Sequence, residues 1–260
     1  MRAFITTTRR GAVAAALGCM LAASVAAWAA EPAKPTISPD AAGAVTRMGK
    51  ALSANQFSFK ARTLRVYADS PKGIPLHIGH VMDVTVRRPD RLRVDINGDD
   101  GRAKLFYDGK TAVIFSPDTN KYASIPAPNT IQAMTDQVMG KLGVDFPLAN
   151  FINDAPDKDF LYGVTSGDLV NTVTIDGTPC LHLIFNQPGV ELELWVEQTE
   201  RSVPRRLVVT YTALPDRPNF IAELSDWNFG AQPADSVFVF QPPAGATQVE
   251  FKSNSTKPKG

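Results

Sequence analysis

Cysteine is nearly absent from this chain of 260 residues: Cys19 and Cys180 are the whole supply. Cys19 falls inside an N-terminal apolar run, so a chain processed beyond it keeps one thiol and can form no internal disulfide. The fold must then rest on its core, which a domain of this size can supply. Cys180 is expected to be buried, as free cysteines usually are. Histidine is scarce too, with only His77, His80 and His182. His77 and His80 are three apart and fall on opposite sides of an extended segment. Cys180 and His182 share a strand face, but no acidic partner stands beside them in a recognisable motif. The chain lacks G-x-S-x-G, H-E-x-x-H and any phosphate-binding glycine loop. These absences argue against an enzyme and leave no catalytic residue, metal or cofactor to expect.

Long apolar runs are missing as well, apart from Gly11 to Ala27. That run is short for a spanning helix, which needs ~20 residues. Preceded by Arg2, Arg9 and Arg10 and followed by Ala27-Trp28-Ala29, it reads as a secretion signal over residues 1–29, cleaved after Ala29. A lipobox-like Ala16-Leu17-Gly18-Cys19 offers an alternative, lipid attachment at Cys19, but a cut there strands ten apolar residues on the mature chain. Arg9-Arg10 is a poor twin-arginine signal because the bulky residues that usually follow are missing. Between lipid attachment and soluble export, soluble export is favoured. Of 27 basic residues, those three arginines leave with the signal, and the remaining 24 face 26 acidic ones, a net of −2. Nucleic acid, which demands clustered Lys and Arg, is not an expected partner.

What is present is alternation. After a loose leader over residues 30–38, Ser38-Pro39-Asp40 predicts a helix start, with Ser38 as cap and Val45, Met48 and Leu52 at helical spacing. The period then drops to two. Strands are predicted at 57–63, 81–87, 91–96, 103–107, 111–116, 122–125, 170–175, 180–185, 190–197, 205–211, 220–229 and 237–240. Asp108-Gly109 and Asp176-Gly177 mark hairpin turns. Asn129 to Leu142 interrupts the strands as a helix, with Asn129 as cap, and Pro147 to Ile152 as a second, shorter one. The reading is one domain over residues 39–252 and a disordered tail over 253–260.

The stretch from Arg87 to Gly101 mixes four arginines with four aspartates. Asp95, Asn97 and Asp99 have calcium-loop spacing, but the sixth position holds Asp100 and the twelfth Phe106, where such a loop needs Gly and Glu. The segment is instead two strand ends and a turn, with Arg91 and Arg93 on the solvated face.

The order of several short motifs resembles the LolA-type lipoprotein carriers. These are Val86-Arg87-Arg88-Pro89-Asp90-Arg91-Leu92, Tyr107-Asp108-Gly109-Lys110-Thr111, Phe115-Ser116-Pro117, Asp176-Gly177-Thr178-Pro179, Val203-Pro204-Arg205-Arg206-Leu207 and the closing Phe238-Val239-Phe240-Gln241-Pro242-Pro243-Ala244-Gly245. The resemblance covers roughly residues 40 to 251 and is closest to an uncharacterised group of predicted periplasmic proteins in that superfamily. It implies a mainly β fold with some α: a single strongly curved antiparallel sheet, an unclosed half-barrel, with helices over its concave face.

A hydrophobic ligand, lipid or lipoprotein acyl chain, would sit between sheet and helices. Lining residues are then expected at Leu92, Val94, Val113, Phe115, Leu183, Phe185, Leu192 and Leu194, and lid residues at Ile131, Met134, Val138 and Phe151. In the carriers the arginine of the R-P motif holds the lid shut; the matching residue is Arg88. Leu92 and Val94 stand where the carriers place bulky aromatics, and Val113 where Trp is frequent, so the lining differs. The function implied is a monomeric periplasmic carrier for a hydrophobic ligand. The alternative is a sensor or scaffold that binds a membrane-associated protein partner and moves no lipid.

Overall fold

The computed structural model describes residues 36–68, 74–142 and 146–250. The signal segment, Cys19 and the tail over 253–260 lie outside the described residues. In chain order the elements begin with β1 (Thr36–Ile37), α1 (Pro39–Leu52), β2 (Gln56–Tyr67), β3 (Leu76–Arg87), β4 (Arg91–Gly98), β5 (Gly101–Tyr107), β6 (Thr111–Ser116) and β7 (Lys121–Pro126). Three helices follow, α2 (Ile131–Leu142), α3 (Ala149–Ile152) and α4 (Pro156–Leu161). The remaining strands are β8 (Ser166–Ile175), β9 (Thr178–Gln187), β10 (Val190–Glu197), β11 (Pro204–Thr210), β12 (Asn219–Asn228) and β13 (Thr247–Gln248).

All the strands form one open sheet, in the order β1-β8-β9-β10-β11-β12-β2-β3-β4-β5-β6-β7-β13. Every pairing is antiparallel except the two at the borders, where the two-residue β1 and β13 lie parallel to β8 and β7. The stretch 30–38, expected to be a loose leader, therefore ends in sheet: Thr36 and Ile37 pair with Ser166 and Gly167.

Period-two burial explains the two faces. On β2 the residues Phe57, Phe59, Ala61 and Thr63 are buried, and their partners Val86, Val84, Met82 and His80 on β3 share that inner face. The inner face continues through Leu92, Val94 and Ile96 on β4 and through Leu181, Leu183 and Phe185 on β9. Helix α1 opens as its sequence demands, with Ser38 Oγ accepting from the Ala41 amide at 3.4 Å and Pro39 at the first turn. Its buried stripe, Ala41, Ala44, Val45, Met48 and Leu52, packs toward β8 and β10. Gly49 on the same helix is a close approach: a Cβ there would lie 2.5 Å from the Asp157 side chain of α4.

Two local expectations need correction. Asn129 is not the cap of α2, because the Ala133 amide bonds Thr130 Oγ1 at 3.2 Å and the helix starts at Ile131. Val237 to Phe240 is not a strand. A single 3₁₀ turn, Asp235–Val237, leads into an irregular strap whose Phe238 and Phe240 pack on the outer face. Phe238 is fully buried beneath the Arg87 guanidinium, which also bonds Asp235. α4 was not anticipated, although Pro156 at its first turn, with Asp157 and Asp159 behind it, is a helix-start signal.

Candidate functional site

An apolar cavity of about 290 Å³ lies between α2 and the inner face of β4, β5 and β6. Its floor is Leu92, Val94 and Ile96 from β4, Ala103 and Leu105 from β5 and Ile114 from β6. Its roof is Met134, Thr135, Val138 and Met139 on successive turns of α2, and Phe146 closes one side. Lys104 is the charged residue at its margin, and its ammonium points to Asp95 at 3.6 Å on the outer face. The roof's hydroxyl is also occupied, because Thr135 Oγ1 donates to the Gln132 carbonyl at 2.8 Å. The space therefore offers contact area and almost no polar recognition.

A larger depression, about 590 Å³, sits on the outer side around Arg62, Leu64, Gly79, Val81 and Glu223. It is open to solvent and carries charge at its rim. The covered cavity is the better candidate site.

The helices are tied to the sheet at one end of the strands. Arg88, at the close of β3, donates to the Ala54 carbonyl at 2.6 Å and to the Ile152 and Asn153 carbonyls at 3.1 and 2.5 Å. It thereby joins the segment after α1 to the C-terminal end of α3, where a cation is favoured. Asp154 lies 3.6 Å from its Nε, and the guanidinium rests over the Phe57 ring. Burial pulls the Arg88 guanidinium below its ordinary pKa, and the Asp154 charge works in the opposite direction. The next residue, Pro89, accepts the amide of Ile131 at 2.9 Å and so fixes the start of α2. Tyr107 completes the anchorage by donating its hydroxyl to the Pro128 carbonyl. Burial, with the nearby Asp90 charge, pushes the Tyr107 phenol up to about 12. The turn at Asp108-Gly109 stays tight because Gly109 adopts φ +86° and leaves room for Asp90 and Arg91, which a Cβ would strike at 2.4 Å.

The expected lining residues divide three ways. Leu92 and Val94 face the cavity, as do the lid residues Met134 and Val138. Leu183, Phe185, Leu192 and Leu194 are on the inner face but belong to solid core. Phe185 meets Phe160 of α4 edge-on at 5.4 Å, and all four residues are at most 8% exposed. Ile131 and Phe151 are likewise wholly buried, and Phe151 stacks on Phe160 at 6.3 Å.

Val113 and Phe115 are on the wrong face. They pair with Phe106 and Lys104, whereas the cavity residue Ile114 pairs with Leu105. Their side chains meet the strap instead, with Phe115 and Phe240 centroids 5.5 Å apart. Ile96, Ala103, Leu105, Ile114, Met139 and Phe146 were missed as lining residues.

Cys180 and His182 do share the outer face of β9, and His182 has an acidic partner after all, Glu193 at 2.9 Å across the strand pair. Burial raises the Cys180 thiol pKa, the reverse of what a nucleophile needs. Among the described residues no cluster of three or more His, Cys, Asp or Glu could hold a metal ion. Asp99 and Asp100, in the former calcium-like stretch, bond the Gly79 amide and the His80 ring, both at 2.8 Å.

The profile of the family described as predicted periplasmic protein (DUF2092) matches residues 41–252. The chain belongs to that family. Among curated proteins no sequence match was found. Solved structures similar to this chain include the lipoprotein LppX of Mycobacterium tuberculosis, at 16% identity over 75% of this chain and 99% of that one, TM-score 0.45. A LolA superfamily protein from Nitrosomonas europaea is 15% identical over 76% and 97% of the two chains, TM-score 0.38. MucB, in a complex with MucA(peri), is 15% identical over 75% of this chain and 58% of that one, TM-score 0.39.

Proposed function

We propose that this protein binds a hydrophobic ligand, an acyl chain of a lipid or lipoprotein, in the cavity between β4–β6 and α2, and carries it through the periplasm. The observation that carries the reading is a covered space whose walls are apolar and whose polar groups are already bonded elsewhere. Its volume of about 290 Å³ is at the lower end of the ~300–1,000 Å³ typical of small-ligand pockets. That suits a single chain, or the end of one. Each buried methylene contributes about 0.8 kcal/mol, so affinity would come from area. Arg88 serves in this reading as the latch that keeps the helical cover against the sheet.

The reading also takes residues 1–29 as a secretion signal, in keeping with the family description. Amino-terminal sequencing of the exported protein should begin at Ala30. For the site itself, titration of the protein with a fluorescent fatty acid should show saturable binding. Val94→Trp, which fills the floor, should weaken it at least ten-fold. Equal binding by the Trp variant, or no binding by the parent, would defeat the assignment.

A further inference from the structure

The inner face of the sheet does not stop where the cavity does. Beyond the row Met82–Ile96–Ala103 comes His80, whose ring lies over Gly98 and is held by Asp100 at 2.8 Å. β4 ends there, but β2 and β3 stay paired for four more residue pairs, to Tyr67 opposite Leu76. At ~3.3 Å per residue this is an overhang of about 13 Å. Its inner face carries Ile78 and Leu76. A continuous strip thus runs from the cavity floor, past one imidazole, to the end of the overhang.

That end is where exposed apolar side chains gather. Tyr67 is 43% exposed, Ile74 66% and Leu76 51%, and Leu214 on the neighbouring β11–β12 loop is 52% exposed. The loop is not slack. The Tyr211 amide bonds the Pro218 carbonyl at 3.0 Å, the Arg217 amide bonds that of Leu214 at 3.2 Å, and Arg217 reaches Glu191 at 2.5 Å. A bonded turn that still presents a leucine to water is holding it out. Between overhang and loop runs a groove of about 390 Å³ with Tyr67, Tyr211 and Pro218 in its walls. Arg65 lies in it, stacked over Tyr211 and Phe220.

We infer that the overhang of β2–β3 and the β11–β12 loop together form a lip that docks on a lipid bilayer. Tyrosine and arginine beside projecting aliphatic side chains is the composition that settles at the boundary of headgroups and acyl chains. A bilayer is favoured over a protein partner because the strip leads from the lip to an apolar cavity. Ligands that fit such a cavity are withheld from water and reside in bilayers. The inference takes its purpose from the ligand reading above, but its test is separate.

The purified exported protein is floated with vesicles of phosphatidylethanolamine and phosphatidylglycerol. The parent should rise with the vesicles. The double variant Leu76→Asp/Leu214→Asp, altered at exposed positions, should lose about ten-fold or more of the bound fraction, since Asp is strongly disfavoured in hydrocarbon. The same variant should bind the fluorescent fatty acid with unchanged affinity. A parent that stays at the bottom, or a variant that floats equally well, overturns the inference. So does flotation that appears only when envelope proteins are incorporated in the vesicles, which would assign the lip to a protein partner. Flotation with no fatty-acid binding would sustain the lip and sink the ligand reading.

Discussion

Arg88 reaches three main-chain carbonyls in two separate segments, which no other cationic side chain could imitate from the same position. Lysine has one compact charge and no planar fork. Arg88→Ala should cost roughly 3 kcal/mol in urea unfolding, because buried acceptors lose a charged donor. Arg88→Lys should recover less than half of that loss. Tyr107 supplies a test by pH. Its folded phenol titrates near 12 against about 10 when unfolded, so the folded state favours the protonated form. The stability tied to it is fully present below pH ~10 and is lost as pH rises toward 12. Tyr107→Phe should remove that alkaline dependence, read by thermal unfolding across the interval. The Arg88 position was legible because the R-P motif pointed to it; its carbonyl partners were not, since they lie 34 to 65 residues away.

At the level of elements, sheet parity separates what could be read from what could not. β4 alternates cleanly, so Leu92 and Val94 were assigned to the right face. β6 reads Thr-Ala-Val-Ile-Phe-Ser, apolar on both faces, and alternation alone cannot choose between Val113 and Ile114. The turn could have chosen. Pairing Tyr107 with Ala112 around Asp108-Gly109 forces Ile114 to share the face of Leu105. Both faces are apolar because each is covered, one by α2 and the other by Phe240 of the strap. The two covers should therefore be separable by mutation. Phe238→Ala, emptying a fully buried site in the strap, should lower stability by about 3–5 kcal/mol while leaving fatty-acid affinity unchanged.

For the whole molecule, the fold class was largely readable: a mainly β chain in one open, mostly antiparallel sheet with a helical insertion midway. The extent of solid core was not. Leu183, Phe185, Leu192 and Leu194 have the same pattern as Leu92 and Val94, yet α1 and α4 fill the space above them while α2 leaves a gap. A gap of this kind links ligand to stability. At a ligand concentration of 100 Kd the folded state gains about 2.7 kcal/mol. A thermal shift of roughly 5–10 °C is expected in scanning calorimetry, from ~2–4 °C per kcal/mol for a chain of this size. Val94→Trp, at the same ligand concentration, should cut it to about half or less.

Arg88 and Pro89 pin α3 and the start of α2 at a single end of the strands, while the opposite end of the cavity leads to Gly98, over which the His80 ring lies in the grip of Asp100. In the proposed ligand reading, a guest longer than the cavity meets that imidazole first and has to pass beside it to go further.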